Sequence, residues 1–311
     1  MLNYEKATKP TIYFIGVTTG SSSIMKVFPR WAEALGLKDA VIKGIDFKPH
    51  SDPQDYRQAV AFIKEDPLSL GALVTTHKID LYNSCKDLFD YIDPFAGELG
   101  EISCISKKDG QYRAHAKDPI SSGLALEAFV PENYWKEHGG EVLLLGAGGA
   151  TLAMSVYFTQ ERFQENVPKK IVIANRSLPR LQEARRILEG RNKNVEFEFV
   201  HNPTPEENDA VLASLPPHSL VVNATGLGKD GPGSPLTNGC SFPKDSLVWE
   251  INYRGDLLFK DQAEAQKEKK NLFIEDGWTY FIHGWTQVVS EVFHVSIEGE
   301  VLERLSAIAK G

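Results

Sequence analysis

Apolar residues along the chain come in short unbroken runs that alternate with longer amphipathic stretches. "TIYFIGV" (11–17) reads as a buried strand, and "MKVFPRWAEAL" (25–35), with apolar positions every three or four residues, as a helix. "DAVIKGIDF" (39–47) and "GALVTT" (71–76) read as two further strands, separated by the helical "YRQAVAFIKED" (56–66). Alternation of this kind implies a parallel sheet with helices on its faces. "CISKKDGQYRAHA" (104–116) differs: two short strands flank Asp109–Gly110, which predicts a hairpin of the sort found at a sheet edge. A second alternation starts at 141 with "EVLLLGAGG" and a helix through 163. "KKIVIANRS" (169–177), a helix over 179–190 and "NVEFEFV" (194–200) follow, then "HSLVVNATG" (218–226) and "SLVWEINY" (246–253). The boundary between the two alternations falls near a helix over 119–138, where "PENYW" interrupts the apolar pattern. The expected fold class is α/β in two domains, the second a Rossmann-like doubly wound sheet.

Composition narrows the function classes. The chain has 311 residues, enough for two ordinary domains, and is 42% hydrophobic and 24% charged, as globular proteins are. Its formal net charge of -8 argues against nucleic-acid and anionic-membrane surfaces, which need basic patches. The start, "MLNYEKATKP", carries no apolar core, so no signal peptide is expected. The most apolar stretch, 142–158, is split by glycine and short for a span of about 20 residues. Cys85, Cys104 and Cys240 lack metal-ligand spacing, so no metal site is expected and a reducing cytoplasm is.

The strongest chemical signal is "VLLLGAGGATLAM". Gly146, Ala147, Gly148, Gly149 and Ala150 follow a strand directly and open a helix. In that setting the backbone can approach a pyrophosphate, whose charge sits against the helix N-terminus. The next strand ends in Asn175, Arg176, Ser177 and Arg180, where an NAD-binding unit usually places an acidic residue for the ribose hydroxyls. Two guanidiniums and a hydroxyl suit a 2′-phosphate instead, and basic side chains opposing the helix dipole need some such reason. NADP is therefore the expected cofactor, with NAD left open. "VVNATGLG" ends a later strand on Asn223, Ala224, Thr225 and Gly226, which should face the same crevice and cover the cofactor's middle with backbone amides and a small side chain.

These residues resemble the shikimate dehydrogenase family and its quinate dehydrogenase relatives. The family shows GAGGAxxA, an Asn-Arg-Thr-x-x-Arg stretch and NATPLG; here they read "GAGGATLA", "NRSLPR" and "NATGLG", followed by "WEINYRGDLLFKDQA" and "EDGWTYFIHGWTQ". The resemblance covers nearly the whole chain. It implies a substrate-binding catalytic domain over 1–118, completed by C-terminal helices over about 278–311, and a Rossmann NADP-binding domain over 119–277. It also implies Lys78 in "LVTTHK" and Asp118 in "AHAKDP" as a catalytic proton relay, since oxidising an alcohol by hydride removal must also shed the hydroxyl proton. Thr75 or Thr76 corresponds to the family's substrate-contacting threonine, in a run one residue shorter than usual.

The departures concentrate on the substrate side. The family's first loop carries Ser-x-Ser, both hydroxyls gripping a carboxylate; alignment on Trp31, Ala34 and Leu35 keeps Ser22 but puts Ile24 in the second place. Losing one such charge-assisted bond costs about 1.5–3 kcal/mol. Two asparagines that hold ring hydroxyls fall on Ser103 and Ala116. The late glutamine's place is taken by His283 or Gln287, and Tyr253 matches a substrate-side tyrosine. His77 is a further candidate ligand or else a core residue, and Lys117 answers a changed substrate charge or faces water. The implied activity is oxidation of a ring or sugar-like secondary alcohol, such as a cyclitol, to its ketone. The alternatives are a true shikimate or quinate dehydrogenase and a non-catalytic dinucleotide sensor. The expected partner is a small-molecule substrate, with a homodimer left open and neither nucleic acid nor membrane.

Overall fold

The computed structural model describes residues 4–229 and 231–310. Met1–Asn3, part of the start read above for a leader, lie outside them, as do Asp230 and Gly311. The chain divides into two compact units, one running through Lys117 and resuming at Gly284, the other spanning Asp118–His283.

In the first unit the apolar runs become β1 (Thr11–Gly16), buried throughout, β2 (Val41–Asp46) and β3 (Ser69–Val74). Helix α1 (Ile24–Ala34) buries Ile24, Val27, Phe28, Trp31 and Ala32, one stripe at helical spacing. In α2 (Pro53–Glu65) the Asp52 side chain accepts from Gln54 N–H at 2.8 Å and Pro53 supplies a preset first φ. Then come α3 (Lys78–Cys85), β4 (Tyr91–Ile92), α4 (Pro94–Leu99), β5 (Cys104–Lys108) and β6 (Gln111–His115). Asp109 (φ 52°) and Gly110 (φ 76°) are both left-handed, as a two-residue hairpin turn requires.

The strand order is β2-β1-β3-β5-β6-β4. β1 runs parallel to β2 and β3, whereas β5 is antiparallel to β3 and β6, so the sheet is mixed rather than parallel throughout. The hairpin also lies inside the sheet instead of at its edge, because the two-residue β4 pairs with Arg113 and Ala114 of β6. So short a strand leaves no periodic signal in the sequence.

The second unit holds α5 (Asp118–Glu127), α6 (Tyr134–His138), β7 (Val142–Leu145), α7 (Gly149–Phe158), β8 (Lys170–Asn175), α8 (Leu178–Leu188), β9 (Glu196–His201) and α9 (Pro205–Ser214). β10 (Leu220–Asn223), β11 (Leu247–Glu250), α10 (Leu258–Glu264), α11 (Lys267–Lys270) and β12 (Phe273–Glu275) complete it. The helix expected over 119–138 is two helices; Pro131 and the left-handed Asn133 (φ 60°) fall in the break. All strand pairs are parallel, in the order β12-β11-β10-β7-β8-β9. This is the doubly wound order, and the switch point lies between β7 and β10.

The unit boundary falls within α12 (Trp278–Phe293), which α13 (Gly299–Lys310) follows. In the first unit this returning segment fills the core beside α1 and β1. Trp285 packs edge-on against Phe14, Phe293 stacks on Phe28, and the buried Trp31 indole donates to Leu305 O at 2.8 Å. Among the described residues, no helix is long and apolar enough to cross a membrane.

Candidate active site

In the second unit, β7 delivers the chain to Gly146, whose φ of +113° is open to glycine and strained for other residues. A Cβ there would stand 2.7 Å from Ala224 O, so glycine also lets the loops after β7 and β10 touch. Thr151 Oγ1 locks the turn by donating to Gly146 O at 2.8 Å. Ala147 is buried, while Gly148, Gly149 and Ala150 are half-buried. Gly148 caps α7 without a side-chain bond, and a Cβ there would meet nothing within 4 Å. The first-turn amides of α7 thus stand behind bare main chain, the form an anion-binding helix start takes.

At the end of β8, Asn175 O accepts from Asn202 N–H at 3.0 Å, and Arg176 O lies 3.1 Å from His201 Nε2. Arg176 and Arg180 are exposed, and neither joins an ion pair among the described residues. Ser177 caps α8 by position, yet its hydroxyl makes no capping bond. Two guanidiniums and a hydroxyl therefore remain for a phosphate at the start of α8, so the residues present fit a 2′-phosphorylated dinucleotide.

At the end of β10 the site offers less side chain than its motif suggests. Asn223 is fully buried: Oδ1 accepts from Thr225 N–H (3.1 Å) and Oγ1 (2.6 Å), and Nδ2 donates to Glu250 Oε2 at 2.7 Å. Ala224 N–H is bound to Leu145 O and Leu227 N–H to Thr225 Oγ1. Of amides 224–227 only that of the exposed Gly226 is not so engaged among the described residues. Glu250, which the sequence reading missed, is the hub of this network. It ends β11, has no exposure, and accepts at Oε1 from Asn252 N–H (2.9 Å) and Nδ2 (2.7 Å). Burial pushes its carboxyl up to about 7, against the pull of those amide donors and Lys229. The available signal was an acidic residue closing the apolar run "SLVWE".

Asp118 opens α5 and is half-buried; Tyr253 packs within 4.6 Å of the Phe281 ring and 6.0 Å of Trp278, centroid to centroid. His283 is buried on α12, and burial holds its pKa below the ordinary imidazole value, with Glu127 opposing.

In the first unit, the turns after β1 and β3 meet where a Cβ on Gly16 would touch Thr75 Cγ2 at 3.0 Å. Thr75 N–H donates to Ile15 O at 3.0 Å. Thr76 has φ +31°, a strained value for a β-branched residue, and His77 N–H closes a γ-turn onto Thr75 O. His77 is fully buried and both its ring nitrogens have partners within the protein, the core-residue alternative of the two. Nε2 lies 3.1 Å from Gly16 O, which can only accept, so it carries the hydrogen. Nδ1 is then left to accept from Tyr56 OH at 3.0 Å. Lys78 follows as the first residue of α3, its carbonyl accepting from Ile102 N–H at 3.0 Å.

Ser22 ends the short turn Thr19–Ser21, which Asp46 Oδ1 ties down through Thr19 N–H (2.9 Å) and Oγ1 (2.6 Å). Ser22 and Ser23 are half-buried, while Ile24 lies in the core with no exposure. Ser103 Oγ accepts from Lys117 N–H at 2.8 Å, and Ala116 is fully buried with its N–H on Asp93 Oδ2 at 3.1 Å. Lys117 neither faces water nor waits for an anion: its side chain is 13% exposed and pairs with Glu291 Oε2 at 2.7 Å. Gln287, half-buried, lies one turn before Glu291 on α12.

No family model matches the chain. A shikimate dehydrogenase (NADP(+)) of Bacillus cereus (strain AH820) is 31% identical over 228 residues, 73% of either chain. The corresponding enzyme of Streptococcus thermophilus (strain ATCC BAA-491 / LMD-9) is 28% identical over 166 residues, so the chain spans 53% of that relative's length. Among solved structures, shikimate dehydrogenase from Aquifex aeolicus covers 98% of this chain and 99% of its own, with a TM-score of 0.71 at 21% identity. The ligand-free 5-ketofructose reductase of Gluconobacter sp. strain CHM43 covers 96% and 98%, with a TM-score of 0.67 at 17% identity. At such identities the two structures speak for the fold.

Proposed function

The chain belongs to the shikimate dehydrogenase family, and from that premise we propose an NADP-dependent oxidoreductase that interconverts a ring or sugar-like secondary alcohol and its ketone. The observation that carries the reading is the turn before Lys78. A left-handed threonine costs about 1–3 kcal/mol and persists where surrounding structure over-determines it. Here the buried His77, held between Gly16 O and Tyr56 OH, does so, and it fixes where α3 begins and hence where Lys78 sits.

Gly146–Ala150 would receive the pyrophosphate, Arg176, Ser177 and Arg180 the 2′-phosphate, and Gly226 the remaining amide contact. A nicotinamide dinucleotide held there supplies the hydride acceptor or donor. The protein's own task is the proton. In oxidation Lys78 Nζ takes it from the substrate hydroxyl, with the Asp118 carboxylate holding the resulting ammonium; in reduction Nζ returns it to the ketone oxygen. Ser22, Thr75 or Thr76, Ser103, Tyr253, His283 and Gln287 are the candidate contacts to substrate hydroxyls.

Three substitutions support an uncharged ring. Ile24 is withdrawn into the core, Ala116 has no polar side chain, and Ser103 Oγ already accepts from the main chain. The second reading is shikimate or quinate itself. It is favoured by Ser22 and Ser23, neither of whose hydroxyls is committed among the described residues, at the start of an 11-residue helix. The names of the relatives and the three free, buried cysteines support NADP chemistry in a cytoplasm.

The test is cofactor reduction across cyclitols, cyclic sugar derivatives, quinate and shikimate with both cofactors. Turnover of an uncharged cyclitol or sugar with NADP is the expected result. Shikimate turnover at about 10⁴ M⁻¹s⁻¹ or above selects the second reading. Tight NADPH binding without turnover of any compound leaves only a dinucleotide sensor.

A further inference from the structure

α12 carries His283, Gln287 and Glu291 at four-residue spacing, which places all three in a stripe about 80° wide on one face of the helix. The first two are candidate substrate contacts. The third is gripped by the β5–β6 hairpin and its exit. Glu291 Oε2 accepts from Lys117 Nζ at 2.7 Å; Oε1 accepts from Ser106 Oγ at 3.2 Å and lies 3.3 Å from His115 Nε2. His115 Nδ1 lies 3.3 Å from Asp93 Oδ2, which also receives Ala116 N–H. Asp93 Oδ1 caps α4 through Ala96 N–H at 2.7 Å.

The cluster is largely closed to water: Glu291, Lys117 and His115 side chains are 19%, 13% and 6% exposed. Burial pushes the Glu291 carboxyl up, but Lys117, His115 and Ser106 together pull it the other way, and it ends below the ordinary carboxylate value. Cys104, buried among the same groups, has its thiol pushed up by burial. Lys117 is held at both ends, by Ser103 Oγ at its amide and by Glu291 at its ammonium, and Asp118 is the next residue in the chain.

We propose that Glu291 is a positioning residue: by holding Lys117 and His115 it fixes the exit of β6, where Asp118 begins, against the face of α12 that carries Gln287. Glu291 touches no substrate in this account. The Lys117–Glu291 pair and the Ser103 contact thus tie the segment from Ser103 to Lys117 into the protein itself. The proposal rests on the oxidoreductase reading given above.

The test compares the unaltered protein with Glu291→Gln, Glu291→Asp and the pair Glu291→Gln/Lys117→Met, on whichever substrate the panel yields. Glu291→Gln should raise KM at least 10-fold and displace the acid limb of the kcat–pH profile, while NADPH affinity, belonging to the other unit, stays within 2-fold. Glu291→Asp should recover most of the loss, and the double variant should be no worse than Glu291→Gln, because the two residues act as one. KM and pH profile both within 2-fold of the unaltered protein in Glu291→Gln overturn the proposal. Should the unaltered protein turn over nothing, the oxidoreductase reading has failed, and amide hydrogen exchange at Lys117 and Asp118 decides this proposal instead. Exchange at least 10-fold faster in Glu291→Gln supports the grip, and unchanged exchange overturns it.

Discussion

The loop after β7 and the segment leaving β6 both end a strand at a candidate site, and they are made of different material. In the first, main chain does the work: Gly146 can adopt φ +113° and lie against Ala224, and the start of α7 stays bare. Even Asn223 and Thr225 turn their side chains inward to hold the turn. In the second, side chains do it: Ser103 and Glu291 both bind Lys117, one at its amide and one at its ammonium. A dinucleotide asks the same of every protein that binds it, so a main-chain cradle has little room to change. A substrate wall built from side chains can be rewired one residue at a time.

The largest test of that contrast is Lys78→Ala. Removing the proposed proton-transfer group should lower turnover by about 100-fold or more. NADPH affinity, measured by fluorescence titration, should stay unchanged, because its cradle belongs to the other unit. Equal loss of both would show that the two regions are not separable.

Next is Arg176→Glu, which replaces the proposed 2′-phosphate ligand with a repelling carboxylate. A lost charge-assisted bond of about 1.5–3 kcal/mol predicts NADPH weakened about 10- to 100-fold with NADH little affected. An unmodified protein that binds NADH as tightly as NADPH would break the assignment at once.

Glu250 sharpens the cofactor side through pH. Its carboxyl titrates near 7 in the folded protein and at the ordinary value of 4.5 when unfolded. Folding therefore favours the protonated form. The stabilisation is complete below 4.5 and is lost as pH rises through 7, a change of about 2 kcal/mol between pH 5 and 8. Glu250→Gln should lack this component, so the difference in chemical-denaturation stability between the two proteins should drift by that amount. Parallel pH curves would dismiss the buried titration.

The smallest effect belongs to Tyr56→Phe. It strips His77 Nδ1 and Ser51 N–H of a partner and should cost about 1 kcal/mol in stability. The bond from Nε2 to Gly16 O remains to hold the turn before Lys78, so turnover should stay within about 2-fold. A large fall in turnover at normal stability would show that the Tyr56 hydroxyl, through His77, is needed to place Lys78.

What the sequence made legible follows the same divide. The second sheet was readable because β7, β8, β10 and β11 are short apolar runs, buried on both faces, each closed by a polar residue or a glycine. The hairpin at Asp109–Gly110 was readable from two residues, but its place inside the sheet was not, since that depends on Tyr91 and Ile92 finding β6. Over 119–138 the interruption at "PENYW" was visible, but not that Pro131 and the left-handed Asn133 there divide two helices. Lys117 was visible as an oddity. Its partner lies 174 positions away on α12, and nothing local in either segment points to the other. Glu250 was passed over in part for the same reason: Asn252 stands two residues on, but Asn223 becomes a neighbour only once β10 and β11 pair.

The first unit is completed by a segment that follows the whole of the second in the chain. Phe14, Phe28 and Trp31 leave the ribosome early, but Trp285, Phe293 and Leu305, which cover them, follow only after the 166 residues of Asp118–His283. At about 5–20 residues per second, translation leaves that apolar surface waiting for roughly 8–30 s. The second unit, continuous in the chain, has every strand of its sheet translated before the first can close, so a stalled or truncated message would yield a finished dinucleotide fold tethered to a half-built, aggregation-prone companion.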